Sequence, residues 1–318
     1  MTHRETAYDA IRVFLENMVT EGLLAKETGI DATPRQIVDA TFEQIIKIAE
    51  KSLPLAHLLD NSDLVFHAEG RGVTQILPWL SSLTWLTSTV EQNLRRLSAA
   101  VIDLLGANGT KLSRQIDLRV TGIAPGSLWF GTKIQPPSAD LLPEDDQLVI
   151  RILNAIDLLP VLAKDIGDDS VLPSAAETMP DPALRDAALH TLLSFSPTGS
   201  RGIDTLEFSS RGNGTASLSQ HDRVVLRSAL RSPLGDRALH GAFTGEVRAA
   251  DLDKTRFNLR TKEGVLRCIA PELHPEQARE MLGHFALVSG RYETDRDGRP
   301  RLMMVEKIEN VPETRKLL

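Results

Sequence analysis

Arg185 and His190 stand five residues apart in Arg185-Asp186-Ala187-Ala188-Leu189-His190. On a helix that interval puts both near one side. There a guanidinium holds a phosphate and neutralises the charge of a phosphorane, while an imidazole, which titrates near neutral pH, moves a proton. The chemistry such a pair offers is phosphoryl transfer, with Arg185 stabilising charge and His190 as general acid or base. The same interval separates Arg279 from His284 in a segment that reads as a barrel helix, so the spacing arises at least once without that chemistry. A second set, Arg256, Arg260, Arg267 and Arg291 with Tyr292, has another use: positive charge and one stacking ring for a single strand of nucleic acid. Arginine alternating along an antiparallel strand is also how a solvated face reads, and acids nearly match bases beyond Leu239. Trp129 alternates with Leu128 and Phe130, which points its ring away from theirs, toward solvent or a partner.

The Arg185–His190 motif resembles the Arg, polar, three-residue, His signature of HEPN-family ribonucleases. That resemblance implies metal-independent cleavage of RNA by a dimer with paired motifs. HEPN domains are helical bundles, whereas this motif is followed within about a dozen residues by the pattern of a β-hairpin. Residues Leu24–Ile30 and Thr33–Ile37 faintly resemble a helix-turn-helix, but Pro34 and Arg35 occupy positions where a recognition helix needs an apolar anchor. There is no Gly-x-Ser-x-Gly elbow, phosphate-binding Walker loop, dinucleotide glycine fingerprint or His-Glu-x-x-His zinc pair, so neither a cofactor nor a metal is expected.

Composition narrows the field. The chain has 318 residues, 42% hydrophobic, 25% charged, with a formal net charge of -7. That suits more than one folded core and disfavours a general nucleic-acid coat, which needs many cations to displace counterions. Cys268 is the only cysteine, which excludes an intrachain disulfide and a thiolate zinc cluster. With no signal-peptide pattern at Met1–Thr6 and no run of about 18 apolar residues, a cytoplasmic, membrane-free protein is expected.

The positioning elements follow from periodicity and punctuation. Helical spacing covers Arg4 to Lys26 with a stop at Gly29, and a second helix starts at Thr33-Pro34 and runs to about Ser52. A short strand at Asp63–Glu69 precedes a long helix opened by Pro78 and ended at Gly106 and Gly109. A hairpin then turns at Ala124-Pro125-Gly126-Ser127. Pro136 and Pro137 mark a boundary. A helix from Glu144 to Lys164 carries a kink at Pro160, a further helix spans Pro182 to Phe195, and a hairpin turns at Arg211–Gly214. Ser219 with Asp222 then caps another helix.

Beyond Leu239, three strands, a short helix opened by Pro275 and two more strands follow in order, with Gly245 set to bend or bulge the first strand and Gly290 in the fourth. This segment resembles the OB fold in element order and glycine placement, and the same order also fits another small barrel such as the SH3-like class. The fold class expected is α+β: two mixed helix/β-hairpin units, residues 1–140 and 141–235, followed by an OB-like barrel at 236–318. The make-up resembles that of bacterial accessory proteins, with mobile-island or phage-defence operons as a setting. The function expected is a non-enzymatic adaptor whose barrel docks a protein partner or a single strand, with self-association through the Trp129 hairpin; the alternative is the HEPN-like ribonuclease using Arg185 and His190.

Overall fold

The computed structural model describes residues 2–28, 34–73, 78–105, 109–124, 127–135, 143–231, 238–251, 255–295 and 297–311. The features expected at Gly29, Thr33, Gly106, Pro125, Gly126, Pro136 and Pro137 lie outside them. The protein is α+β, with a five-stranded open sheet clad in helices and a closed five-stranded barrel.

The chain begins with α1 (His3–Thr28) and α2 (Pro34–Lys47). Where an end was expected near Ser52, it stays helical to Asn61. Pro54 has no amide hydrogen for the ladder, and the backbone accommodates it with one wide turn, Ile48–Ser52, in which the Leu53 N–H reaches back to the Ile48 carbonyl. The helix α3 (Leu53–Asn61) follows, then β1 (Leu64–Glu69).

Next come α4 (Leu80–Leu104), the short α5 (Gly109–Leu112), and the hairpin β2 (Asp117–Ala124) and β3 (Leu128–Gln135). The kink expected at Pro160 is a full break between α6 (Pro143–Asp157) and α7 (Leu159–Lys164), with the proline in the first turn of the second helix, where no amide is missed. After α8 (Ala175–Thr178) comes α9 (Pro182–Phe195). Asp181 caps it by accepting the Leu184 N–H at 2.9 Å. The hairpin β4 (Thr205–Ser210) and β5 (Gly214–Ser219) leads into α10 (Gln220–Ala229), whose capping box of Ser219 and Asp222 is fully formed.

All pairings in the open sheet are antiparallel, in the order β2-β3-β1-β4-β5. The two hairpins, from either side of residue 140, therefore meet on the two edges of β1. Neither two-stranded ribbon can bury a face alone, and one sheet with one core solves that for both. Alternation sends Phe66, Phe130 and Phe208 to the helical side. There Phe66 meets Phe195 of α9 edge-on at 5.2 Å, among Leu86, Leu94 and Leu97 of α4. The opposite face is covered only in part, where α3 brings Leu55, Leu58 and Leu59 onto Val65, Ala124 and Trp129.

The barrel consists of β6 (Leu239–Asp251), β7 (Arg256–Thr261), β8 (Gly264–Ile269), α11 (Pro275–Met281), β9 (Phe285–Thr294) and β10 (Pro300–Asn310). Its closed order is β10-β8-β7-β6-β9, with β8 and β10 parallel and the other pairs antiparallel, an arrangement compatible with an OB-like barrel. Phe257, Leu259, Cys268, Val288 and Met303 fill it, and burial pushes the Cys268 thiol far above its ordinary range. The register shift in β6 falls between Val247 and Ala249, not at Gly245. Gly245 instead permits a close crossing, since a Cβ there would lie 2.5 Å from the Arg260 carbonyl oxygen. Gly290, at φ 156°, passes Met304 as tightly.

Candidate functional site

The partly covered face of the open sheet carries a cluster of reactive side chains that is open to solvent. Because Phe66 points to the core, the next residue of β1, His67, points the other way. Its cross-strand neighbours are set by register: Trp129 on β3 and Glu207 on β4. The Trp129 ring lies parallel to the imidazole, with centroids 4.0 Å apart and planes 9° apart. Ser127, at the entry to β3, puts Oγ 2.6 Å from His67 Nε2, while Glu207 Oε2 lies 3.2 Å from Nδ1. Glu69 adds a second carboxylate 3.8 Å from Nε2. A groove opens between this cluster and the Asp204–Thr205 edge of β4, with Trp129 as its apolar wall. The imidazole is nearly enclosed, yet Glu207 and Glu69 remain 43% and 61% exposed, so a small molecule entering the groove meets both ring and acids.

Among the described residues no group of three or more histidine, cysteine or acidic side chains is placed to hold a metal ion. The chemistry on offer is that of a hydroxyl, an imidazole and carboxylates. Sequence reading pointed Trp129 away from Leu128 and Phe130, and its ring does lie on the face opposite theirs. It missed His67, Ser127 and Glu207, which lie 60 and 140 residues apart along the chain. The one available signal was the weak alternation through β1.

The other predicted residues sit elsewhere, and three of them, Arg185, Arg256 and Arg267, meet at the joint between α9 and the barrel. Asp186, only 1% exposed, receives Arg256 at 2.5 Å and Arg267 at 3.4 Å. Arg256 also donates to the Leu230 carbonyl and Arg267 to the Ala183 carbonyl. Arg185 pairs with Glu293 of β9 at 2.6 Å and donates to the Met179 carbonyl, so both ends of its guanidinium are engaged within the chain. His190 is half-buried further along α9. The motif read as a phosphate-cleaving pair thus supplies, through Arg185 and its neighbour Asp186, the contacts that fasten the helix to the barrel.

Sequence reading did not single out Arg301, which reaches Asp295 at 3.2 Å and Asp181 at 3.7 Å in the same joint. Burial raises the pKa of Asp181, against the pull of the Leu184 N–H and Arg301. Asp103 of α4 is raised as well, burial outweighing the Gly109 N–H and the nearby Arg267 charge. Asp295 goes the other way: burial there is outweighed by hydrogen bonds from the Arg299 N–H, the Arg301 side chain and the Asp297 N–H, and its pKa falls.

Arg260 and Arg291 stay outside the joint. Arg260 is exposed, and Arg291 lies 3.6 Å from Glu306 with 47% of its side chain in solvent. Tyr292, expected as a free stacking ring, is half-buried against Phe243 with an edge contact at 4.9 Å. No helix of the described residues is long and apolar enough to cross a membrane. No protein-family model matches the sequence, and no curated protein matches it.

Proposed function

We propose that this is a binding protein, an adaptor whose barrel is of the OB type and is held within the chain, and whose free docking surface is the helical hairpin at the amino end. Support for the OB reading is the order first-second-third-fifth-fourth around the closed barrel, the parallel pair formed by its third and fifth strands, and α11 between the third and fourth. In OB folds the face of the second and third strands meets the ligand. Here those strands are β7 and β8, whose Arg256 and Arg267 are turned onto Asp186, so the usual ligand face already has an occupant. The single-strand reading is left with Arg260 and Arg291, too few cations for a backbone track.

The observation that carries the adaptor reading lies on α1. Tyr8, Leu15, Val19 and Leu23 follow one another at spacings of seven, four and four, on one side of the helix, and are between 44% and 60% exposed. Phe42 and Ile46, one turn apart on α2, are exposed too. A helix pair that keeps a second apolar stripe in water is the pattern of a surface awaiting another helix. The partner is a protein presenting an apolar helical face, a second copy of this chain included. Sedimentation of the purified protein detects self-association, and recovery of cross-linked partners from the native host detects a foreign one. The Leu15→Glu/Val19→Glu double variant is expected to abolish whichever is seen; a native protein that stays monomeric and yields the same recoveries as the variant would overturn the reading.

A further inference from the structure

The groups around His67 differ from the ion pairs of the barrel joint in one chemical respect: the two ring nitrogens have different neighbours with different roles. A carboxylate only accepts hydrogen bonds, so the 3.2 Å contact with Glu207 requires the proton on Nδ1. That tautomer leaves the Nε2 lone pair facing the Ser127 hydroxyl at 2.6 Å. A hydroxyl donating to a neutral imidazole whose far N–H is held by a carboxylate is how a serine is made nucleophilic, on whatever fold the three meet. The stacked Trp129 ring restrains rotation of the imidazole, so the base is pre-set. Glu69, 3.8 Å from Nε2, adds attraction for an imidazolium when one forms.

We propose that Ser127, His67 and Glu207 form an acyl-transfer site that hydrolyses small esters, neutral or cationic ones, entering by the groove beside Trp129. Ser127 Oγ attacks the ester carbonyl carbon, forming a C–O bond while its proton passes to Nε2. The bond to the alcohol then breaks, and the leaving oxygen takes that proton. A water molecule repeats the sequence on the acyl-serine, with His67 as base, releasing the acid and restoring Ser127. Ester and water become acid and alcohol, and no other reactant is needed. The preference for neutral or cationic esters follows from Glu69 and Asp204 on the groove, which repel a carboxylate-bearing substrate. Ser127 lies at the head of a strand and not on a strand-to-helix elbow, so no sequence signature marks it. The site is separate from the α1–α2 surface, and either proposal stands without the other.

The test is covalent labelling of the full chain with a fluorophosphonate, together with hydrolysis of p-nitrophenyl acetate. The expected result is one adduct per chain, mapped by peptide mass to Ser127, and lost in Ser127→Ala. His67→Gln should slow labelling by about 10²- to 10⁴-fold, the range of a positioned general base. Glu207→Gln, a positioning change, should lower kcat by about tenfold or more at unchanged KM, and Glu207→Asp should recover part of it. Should Ser127→Ala fold poorly, Ser127→Cys serves in its place, since a thiolate at that position would be alkylated by iodoacetamide ahead of the buried Cys268. Labelling of the native protein no faster than that of His67→Gln, an adduct at another residue, or an unreactive thiol in Ser127→Cys would each overturn the proposal.

Discussion

Two clusters of ionisable side chains are assembled in this protein, and they differ in what water can reach. Around Asp186, acid and arginines come from α9, β7 and β8 and are closed in, Arg256 being 11% exposed beside an acid that is almost wholly buried. Around His67, side chains come from β1, β3 and β4, and the carboxylates keep much of their surface in solvent. A closed cluster in which every cation has an anion or carbonyl partner has no free cation to offer a ligand, although Asp186 Oδ1 is buried without a hydrogen-bond partner among the described residues; its charges fix one orientation of helix on barrel, because any slip strands a buried charge. An open cluster that mixes a hydroxyl, an imidazole and carboxylates has no such stake in stability and is free to meet another molecule. Closure to water and the pairing of each cation, more than residue type, separate a fastener from a site.

That distinction breaks most directly at Asp186. Asp186→Ala leaves Arg256 and Arg267 facing each other at the joint without their shared anion, and a loss of about 3–5 kcal/mol is expected, the range for removing one partner of a buried pair. His67→Ala removes a stacked, hydrogen-bonded ring but strands no buried charge, and should cost less, about 1–3 kcal/mol. Urea unfolding of both variants beside the native chain measures the contrast. Equal losses would mean that the two clusters are not different in kind.

A smaller effect sharpens the comparison by pH. Asp103, in the last turn of α4, has its carboxyl pKa raised by burial. A carboxyl whose folded pKa exceeds its unfolded value of about 3.9 contributes stability that is full below that unfolded value and is lost as pH rises through the folded one. At neutral pH the buried charge is therefore a liability, and Asp103→Asn, which can still accept the Gly109 N–H, should raise the melting temperature. The gain should shrink as the pH falls through the folded pKa and vanish near pH 3. Thermal melts at both ends of that window check it, and a gain that persists at low pH would assign the effect to something other than the charge.

How far the sequence disclosed all this depends on the range of each signal. Local rules were legible: the Pro182 start of α9, the Ser219–Asp222 box, and the alternation that fills the barrel with Phe257 and Leu259. Each is decided within a few residues by capping or by the two-residue period of a strand. The joint and the groove were not legible, because they depend on which strands become neighbours. His67 meets Ser127 and Glu207 only because β3 and β4 pair with the two edges of β1, a choice made by the shared core under the sheet. Arg185 and His190 matched a spacing but not a setting: the helix that carries them turns Arg185 to Glu293 of the barrel, and its own acid, Asp186, became the residue of consequence.

The four barrel arginines singled out in the sequence make the same point at the smallest scale. Arg256, Arg260, Arg267 and Arg291 look alike in sequence, each set outward on a β-strand, yet α9 covers the first and third and leaves the other two in water. Arg291 has an anion beside it, Glu306, but at 3.6 Å and with both side chains about half exposed. There the attraction is screened by water and salt, and holding two long side chains in place costs entropy that nearly cancels it. Arg291→Ala should therefore change unfolding free energy by no more than about 0.5 kcal/mol, with little dependence on ionic strength. A loss several times larger would show that the open wall of the barrel carries a contact as demanding as the one at Asp186, and exposure would then no longer distinguish the two.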